Sequence, residues 1–295
     1  MENVFCNKAI HRRIGKIAVL LLLFNLPLLL CAQEEEAPVN LSYRSVLIGG
    51  GSYSLYDTYL SGRKSIYDGW GARILGDYMK MTGLLQNAVS SQHLFNIDFS
   101  STKNMAETAS NYSLFLDYSY GLHYHFKPLP ALRLLAGAQV NLDFGAIYNT
   151  RNGNNPVSPK IAANIGFSGM ADYRFRIRKQ AFALRYQLDI PAVGYMFSQD
   201  YGASFYEIYL GNNNGLFLFS SFHNQWILKN YLTLELPLKP FTMRVTYLHH
   251  IHRTRVRDLE THINSNNLMI GFVKEFFTIP GRRQTDGNKY RRVFN

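Results

Sequence analysis

From Leu114 to Phe126 one parity of the chain is apolar or aromatic (Leu114, Leu116, Tyr118, Tyr120, Leu122, Tyr124, Phe126), while Asp117, Ser119, Gly121, His123 and His125 occupy the other. After Lys127-Pro128-Leu129-Pro130 the alternation resumes, with Leu132, Leu134, Ala136, Ala138, Val140, Leu142, Phe144, Ala146 and Tyr148 set against Arg133, Gly137, Gln139, Asn141, Asp143 and Gly145. A period of two puts successive side chains on opposite faces, so both segments are strands. Neither apolar parity carries a charge, and each run is about twice the length of an ordinary globular strand. Soluble sheets rarely need such a face, whereas a tilted strand crossing a bilayer does.

The same period predicts ten strands, over about 43–56, 70–81, 93–100, 113–126, 132–148, 161–177, 182–190, 226–238, 241–252 and 267–276. Gly49-Gly50-Gly51 interrupts the first, and because no helix pattern follows it reads as a site of curvature rather than a phosphate-binding turn. The joints at 82–92, 127–131, 178–181 and 239–240 are short or modest, and those at 57–69, 101–112, 149–160, 191–225 and 253–266 are longer. Bacterial outer-membrane barrels alternate turns and loops in this way, and an even count returns both chain ends to one side. Phe205 to Leu210 and Leu216 to Ser221 flank Asn212-Asn213-Asn214-Gly215, a hairpin signal that keeps twelve strands open. The region is too short for two further crossings and reads as an outer hairpin, or as a short helix around 204–210. Aromatic residues mark strand ends as in a membrane-interface girdle: Tyr124, Phe126, Tyr173, Phe175, Phe182, Phe241 and Phe276 on the turn side, Tyr148 and Tyr247 towards the loop side.

The chain starts with Lys8, Arg12, Arg13 and Lys16, continues through the apolar run Ile17 to Leu30, and reaches Cys31-Ala32-Gln33. That order predicts a secretory signal peptide over 1–32, cut after Ala32. A lipoprotein cut before Cys31 is disfavoured by the large Leu30. A short lead-in over 33–42, a barrel over 43–277 and a basic, disordered tail over 278–295 complete the division. No later apolar run is long enough for a membrane helix, and strands in lipid satisfy their backbone polar groups only in a closed barrel. The predicted fold is therefore all-β: a transmembrane antiparallel up-and-down β-barrel of about ten strands.

Both cysteines, Cys6 and Cys31, leave with the signal peptide, which removes disulfide, thiol and cysteine–metal chemistry from the mature chain. Four Lys/Arg and one Glu leave as well, so the net charge falls from +11 to +8. In an exported chain that balance points to phosphate-bearing lipid headgroups and not to nucleic acid.

Projected into the lumen, the polar parity carries Arg133, Arg174, Arg176, Arg185 and Arg244 together with Asp98, Asp117, Asp143, Asp172, Asp189, Glu235 and Glu275. Opposite charges in a narrow interior of low dielectric pair up, and a ten-stranded barrel is close to the size that side chains fill. The expectation is a largely closed lumen, with a narrow charge-lined channel for small solutes as the alternative. His249, His250 and His252 precede Arg253, Arg255 and Arg257. His250 and His252 share the lumen parity and would offer two metal ligands, but the favoured reading places these histidines at the interface beside lipid phosphate, and no metal or cofactor is expected. A third reading is a surface hydrolase whose rim draws on Asp57, Asp68, Asp200, Glu207, Asp258 and His250. No nucleophile–base–acid arrangement is recognisable there, so no catalytic residue is assigned. The aromatic segments 57–61 and 201–207, with Asp57, Tyr59, Tyr201, Ser204, Tyr206 and Glu207, read as loops that plug the mouth or present a contact surface.

These two segments, with Pro191-Ala192-Val193-Gly194-Tyr195 and the Ala32-Gln33 site, resemble a Bacteroidetes family of exported proteins classed as a domain of unknown function, over about 41–277. The resemblance implies a barrel in the outer membrane of a Gram-negative bacterium and carries over no catalytic residue. One departure is that Phe276 and Phe277 are followed by a tail, where such barrels commonly end on an aromatic residue. The expected role is structural, or interaction through the outer loops. The expected partners are outer-membrane lipid, the barrel-assembly machinery and an extracellular or envelope protein.

Overall fold

The computed structural model describes residues 40–61, 64–178, 180–200, 205–211, 215–238, 241–279 and 282–284. The expected signal peptide, most of the expected lead-in and most of the expected tail lie outside them. The elements in chain order are β1 (Asn40–Asp57), β2 (Tyr67–Met81), β3 (Val89–Asn104), β4 (Ser110–Leu129), β5 (Leu132–Asn149), β6 (Val157–Ile177), β7 (Gln180–Phe197), α1 (Phe205–Tyr209), β8 (Phe217–Ser221), β9 (Gln225–Leu238), β10 (Phe241–Val256), β11 (Leu259–Ile279) and β12 (Arg282–Gln284). Ten of the strands, all but β8 and β12, form an antiparallel barrel in sequence order. It closes where β1 pairs β11 from Asn40↔Thr278 to Asp57↔Thr261. Closure gives each of the ten barrel strands a neighbour on both sides, which is the condition for strands in lipid.

The parity read from sequence is the parity of the walls. Val46, Ile48, Leu116, Leu142, Phe167 and Ile270 point outward and are exposed, while Leu47, Asp117, Asn141, Ser168 and Met269 point inward and are buried. An exposed apolar surface this continuous fits hydrocarbon and not water. Among the described residues no helix is long and apolar enough to cross a membrane.

Several strands run further than their apolar pattern. β3 spans Val89–Asn104 where 93–100 was expected, and β7 extends to Phe197 where 190 was expected. The joint expected at 253–266 shrinks to a turn at Arg257 and Asp258, with Arg257 at φ 54. Beyond the bilayer the outward parity becomes polar, as with the exposed Arg253 and Arg255, while the hydrogen-bond ladder to β11 continues. The apolar alternation stops there but the strand does not.

The region that kept twelve strands open holds α1, and β8 makes no crossing. Instead Phe217–Ser221 pairs the outer extension of β7, from Val193↔Ser221 to Phe197↔Phe217. A turn at 222–224, closed by the Ser221 amide donating to Asn224 Oδ1 at 2.9 Å, separates β8 from β9. At the far end β12 adds to Phe277–Ile279 of β11.

Glycines let the closing seam approach closely. A Cβ on Gly51 would lie 1.7 Å from the Asn266 carbonyl oxygen and one on Gly49 2.0 Å from that of Leu268, so both positions need the bare backbone.

Inside, apolar clusters sit at successive levels. Tyr43, Met79, Met81, Leu135, Met170 and Val273 fill the turn end. Leu47, Leu75, Leu94, Tyr231, Leu248 and Met269 meet around the middle. Leu55, Tyr59, Leu60, Ile147, Leu259 and Ile263 pack near the loop end. Polar levels lie between them, and there the candidate site is found.

Candidate functional site

Strand register builds the ionic network. Residues directly opposite on neighbouring strands share a face, so inward charges meet their partners by pairing alone. Arg73 on β2 is opposite Asp98 on β3 and forms an ion pair with it. Arg244 on β10 is opposite Glu235 on β9, with 2.5 Å between guanidinium and carboxylate. Asp172 on β6 is opposite both Arg133 on β5 and Arg185 on β7.

Other contacts cross the lumen. Arg244 also donates to Asp77 at 2.8 Å and to Ser45 at 2.7 Å. Arg185 donates to the Tyr43 hydroxyl, which in turn donates to Asp77 at 2.9 Å. Lys229 on β9 lies 3.4 Å from both Asp117 on β4 and Asp143 on β5. Gln92 and Gln187 exchange amide hydrogen bonds at 3.1 and 3.2 Å. Such a network sets opposite charges beside one another, which burial in a low-dielectric interior requires.

Of the residues singled out from sequence, Asp98, Asp117, Asp143, Asp172, Arg185, Glu235 and Arg244 lie in this network. Asp189 is buried and accepts from Ser168 at 2.6 Å and Gln187 at 3.0 Å. Arg133 is buried in register with Asp172, and Arg174 sits 3.9 Å from Asp172 near the turn end. Arg176 is exposed beside the β6–β7 turn and takes no part in the buried network, because its strand has by then left the barrel interior. The Glu275 side chain, Tyr201 and Ser204 lie outside what the structure describes.

Sequence reasoning passed over Arg73, Asp77 and Lys229, three of the most connected members. Lys229 shares the parity of Thr233 and Glu235, so carrying that parity four residues back along β9 would have found it. Arg73 and Asp77 were masked because the lumen parity of β2 also holds Leu75 and Met79.

His250 and His252 are buried and face inward, so they do not meet lipid phosphate at the interface as expected. The outward position between them belongs to Ile251. Their rings lie 6.3 Å apart, and His252 is 3.4 Å from the Gln225 amide. Among the described residues no group of three or more His, Cys, Asp or Glu side chains converges as a metal site.

Both histidines line a cavity of about 840 Å³, open solvent included, in the loop-end half of the barrel. Asp98, Asp117 and Asp143 belong to its lining, as do Phe115, Met196, Phe197, Val256, Leu259 and Ile263. Lys160 reaches in from β6, 2.7 Å from Asp57 and donating to Thr261 at 2.8 Å. Of the six proposed rim residues, Asp57 and His250 line this cavity. Asp68, Glu207 and Asp258 are exposed elsewhere, and Asp200 pairs with Arg257.

Two residues of the β1–β2 loop turn inward at the loop end. Tyr59 and Leu60 are buried against Ile147, Leu259 and Ile263, and the Tyr59 amide donates to Asp57 at 3.0 Å. Burial, reinforced by the Asp57 and Glu207 carboxylates, raises the Tyr59 phenol above its ordinary value. Lys64 in the same loop lies 2.6 Å from Glu260, which also accepts from Tyr56 at 3.0 Å. Tyr206 and Glu207, on α1, stay exposed.

A family model described as "Protein of unknown function (DUF3316)" matches residues 16–283. No curated protein matches the chain. Among solved structures it is similar to the transport unit of the autotransporter AIDA-I from Escherichia coli, at 10% identity over 85% of this chain and 94% of that one, with a TM-score of 0.41. It is also similar to the outer membrane protease OmpT from Escherichia coli, at 10% identity over 83% and 99%, TM-score 0.41. A third is the beta domain of the Bordetella autotransporter BrkA, at 9% identity over 82% and 100%, TM-score 0.40.

Proposed function

The chain belongs to the DUF3316 family of proteins of unknown function, and from that premise we propose that it is an outer-membrane barrel shut to solutes that works through its outward end. The observation that carries this reading is Lys229, 2% exposed and held between Asp117 and Asp143 from the opposite wall. With Arg185 and Arg244 also reaching Asp77 across the interior, Arg73 paired to Asp98 on the next strand, and Leu47, Leu75, Leu94, Tyr231, Leu248 and Met269 filling the middle, an ion would have to break several buried pairs to pass.

Cleavage after Ala32, insertion by the barrel-assembly machinery and a location in the outer membrane of a Gram-negative bacterium belong to the same reading. Exposed Arg253 and Arg255, just beyond the apolar belt, support contact with phosphate-bearing headgroups. The loop end, where an extracellular or envelope protein would dock, is the side on which function is placed. Single-channel recording of the refolded protein in a planar bilayer tests the proposal. No steady conductance is expected. A steady conductance that Arg244→Ala alters would replace this reading with a charge-lined channel.

A further inference from the structure

We propose that the loop-end cavity is a binding site for a small amphiphile that carries a protonated amine on an apolar body. The argument starts from the charges of the lining. Asp98 is matched by Arg73 and Asp57 by Lys160. Lys229 alone faces both Asp117 and Asp143, so the floor holds one carboxylate more than it has cations. Asp143 Oδ2 has no hydrogen-bond partner. Uncompensated charge at such a depth favours a cation and repels an anion.

A second observation is independent of that balance. Gln199, 5% exposed, lines the cavity with neither its amide nitrogen nor its amide oxygen paired, and the buried His250 leaves Nε2 unpaired. Buried polar atoms are normally satisfied, and here the unsatisfied ones look onto a common space. An ammonium donates three hydrogen bonds, enough to reach the free Asp143 oxygen and neighbouring acceptors together.

The remaining wall sets the rest of the ligand. Phe115, Met196, Phe197 and Val256 offer hydrocarbon beside the few polar groups, the usual make-up of a small-molecule site. Water would satisfy the polar atoms but would neither neutralise the floor nor cover these side chains. A bare metal ion finds no cluster of three ligating groups among the described residues.

The site rests on the shut lumen for its floor. Its test uses the full chain refolded into lipid nanodiscs, titrated by calorimetry with hexylamine, hexanol and hexanoate against empty discs. Saturable, protein-dependent binding of hexylamine is expected, with hexanol at least tenfold weaker and hexanoate not bound. Asp143→Asn removes the surplus charge while leaving Asp117 with Lys229, and it should weaken hexylamine at least tenfold. Gln199→Leu, outside the ionic network, should weaken it severalfold and covers the case in which Asp143→Asn fails to fold. Absence of saturable binding, equal binding of hexanoate, or indifference to both substitutions overturns the site. Conductance of the same refolded protein in a planar bilayer keeps the two proposals apart. A conducting barrel overturns the shut lumen, whereas a silent barrel that ignores hexylamine overturns the site alone.

Discussion

Lys229 and Asp117 are 112 residues apart in the chain and come within 3.4 Å across the lumen. Asp117 faces Asp143 directly in the β4–β5 register. Two carboxylates in that position repel, and the Lys229 ammonium from the far wall is what lets both stay buried. Lys229→Met should therefore lower stability by about 3 kcal/mol, the scale for stranding buried charge. Adding Asp117→Asn and Asp143→Asn should recover most of the loss. Urea unfolding in lipid vesicles reads the effect through Trp70 and Trp226, both exposed on the outer wall. A loss that persists in the triple variant would mean that Lys229 acts through packing.

The seam between β1 and β11 predicts a contrast between two glycines. At Gly51 a methyl group would meet the Asn266 carbonyl oxygen at 1.7 Å, a backbone atom that cannot swing aside, while at Gly169 the nearest atom is 4.0 Å away. Gly51→Ala should cost more than about 1 kcal/mol through overpacking. Gly169→Ala should be neutral, or stabilise by about 0.4 kcal/mol through a less flexible unfolded chain. Paired urea titrations decide, and equal effects would remove the close approach as the reason for glycine at the seam.

How legible all this was in the chain depended on what each strand faces. β4 and β5 were plain because their outer parity is apolar without exception along the central length. β2 was obscure because its inner face mixes Arg73 and Asp77 with Leu75 and Met79, and its outer face includes Gly76 and Lys80. Strand ends beyond the apolar belt carried no signal, since Arg253 and Arg255 are exposed and polar while their backbones still pair. Parity placed His250 inward, but whether it ended at the interface or in a cavity depended on which side chains on distant strands leave space. The cavity was illegible for the same reason: Gln199 and Asp143 line one space only through barrel closure, which local periodicity does not encode.

The outer wall predicts where charge is tolerated. Phe167 lies at the middle of β6 and is exposed to the lipid side, whereas Lys103 is exposed beside Glu107 near the β3–β4 turn. Phe167→Arg should destabilise by about 2–4 kcal/mol, the penalty for arginine near the bilayer midplane. Lys103→Ala should stay within about 0.5 kcal/mol, because its ion pair is solvent-exposed. Folding yield into vesicles, scored by the gel shift between boiled and unboiled samples, gives the first comparison and urea titration the second. A tolerated Phe167→Arg would displace the membrane-crossing belt from this part of the wall.

Tyr59 predicts a local opening at the mouth. It anchors the β1–β2 loop by packing beside Leu60, Ile147, Leu259 and Ile263, while Lys64 farther along the loop is tied to Glu260 yet has a largely exposed side chain. Trypsin needs an extended, detached segment, so cleavage after Lys64 tracks how often the loop lifts rather than how accessible its side chain is. Tyr59→Ala leaves the Lys64–Glu260 pair in place but removes the buried ring. It should speed cleavage after Lys64 at least tenfold while the gel shift of the folded barrel persists. Glu260→Gln should have a smaller effect, because it weakens an ion pair that water already screens. If Glu260→Gln proves the more damaging substitution, the loop is held by charge at the rim and the apolar cluster beneath it is incidental to closure.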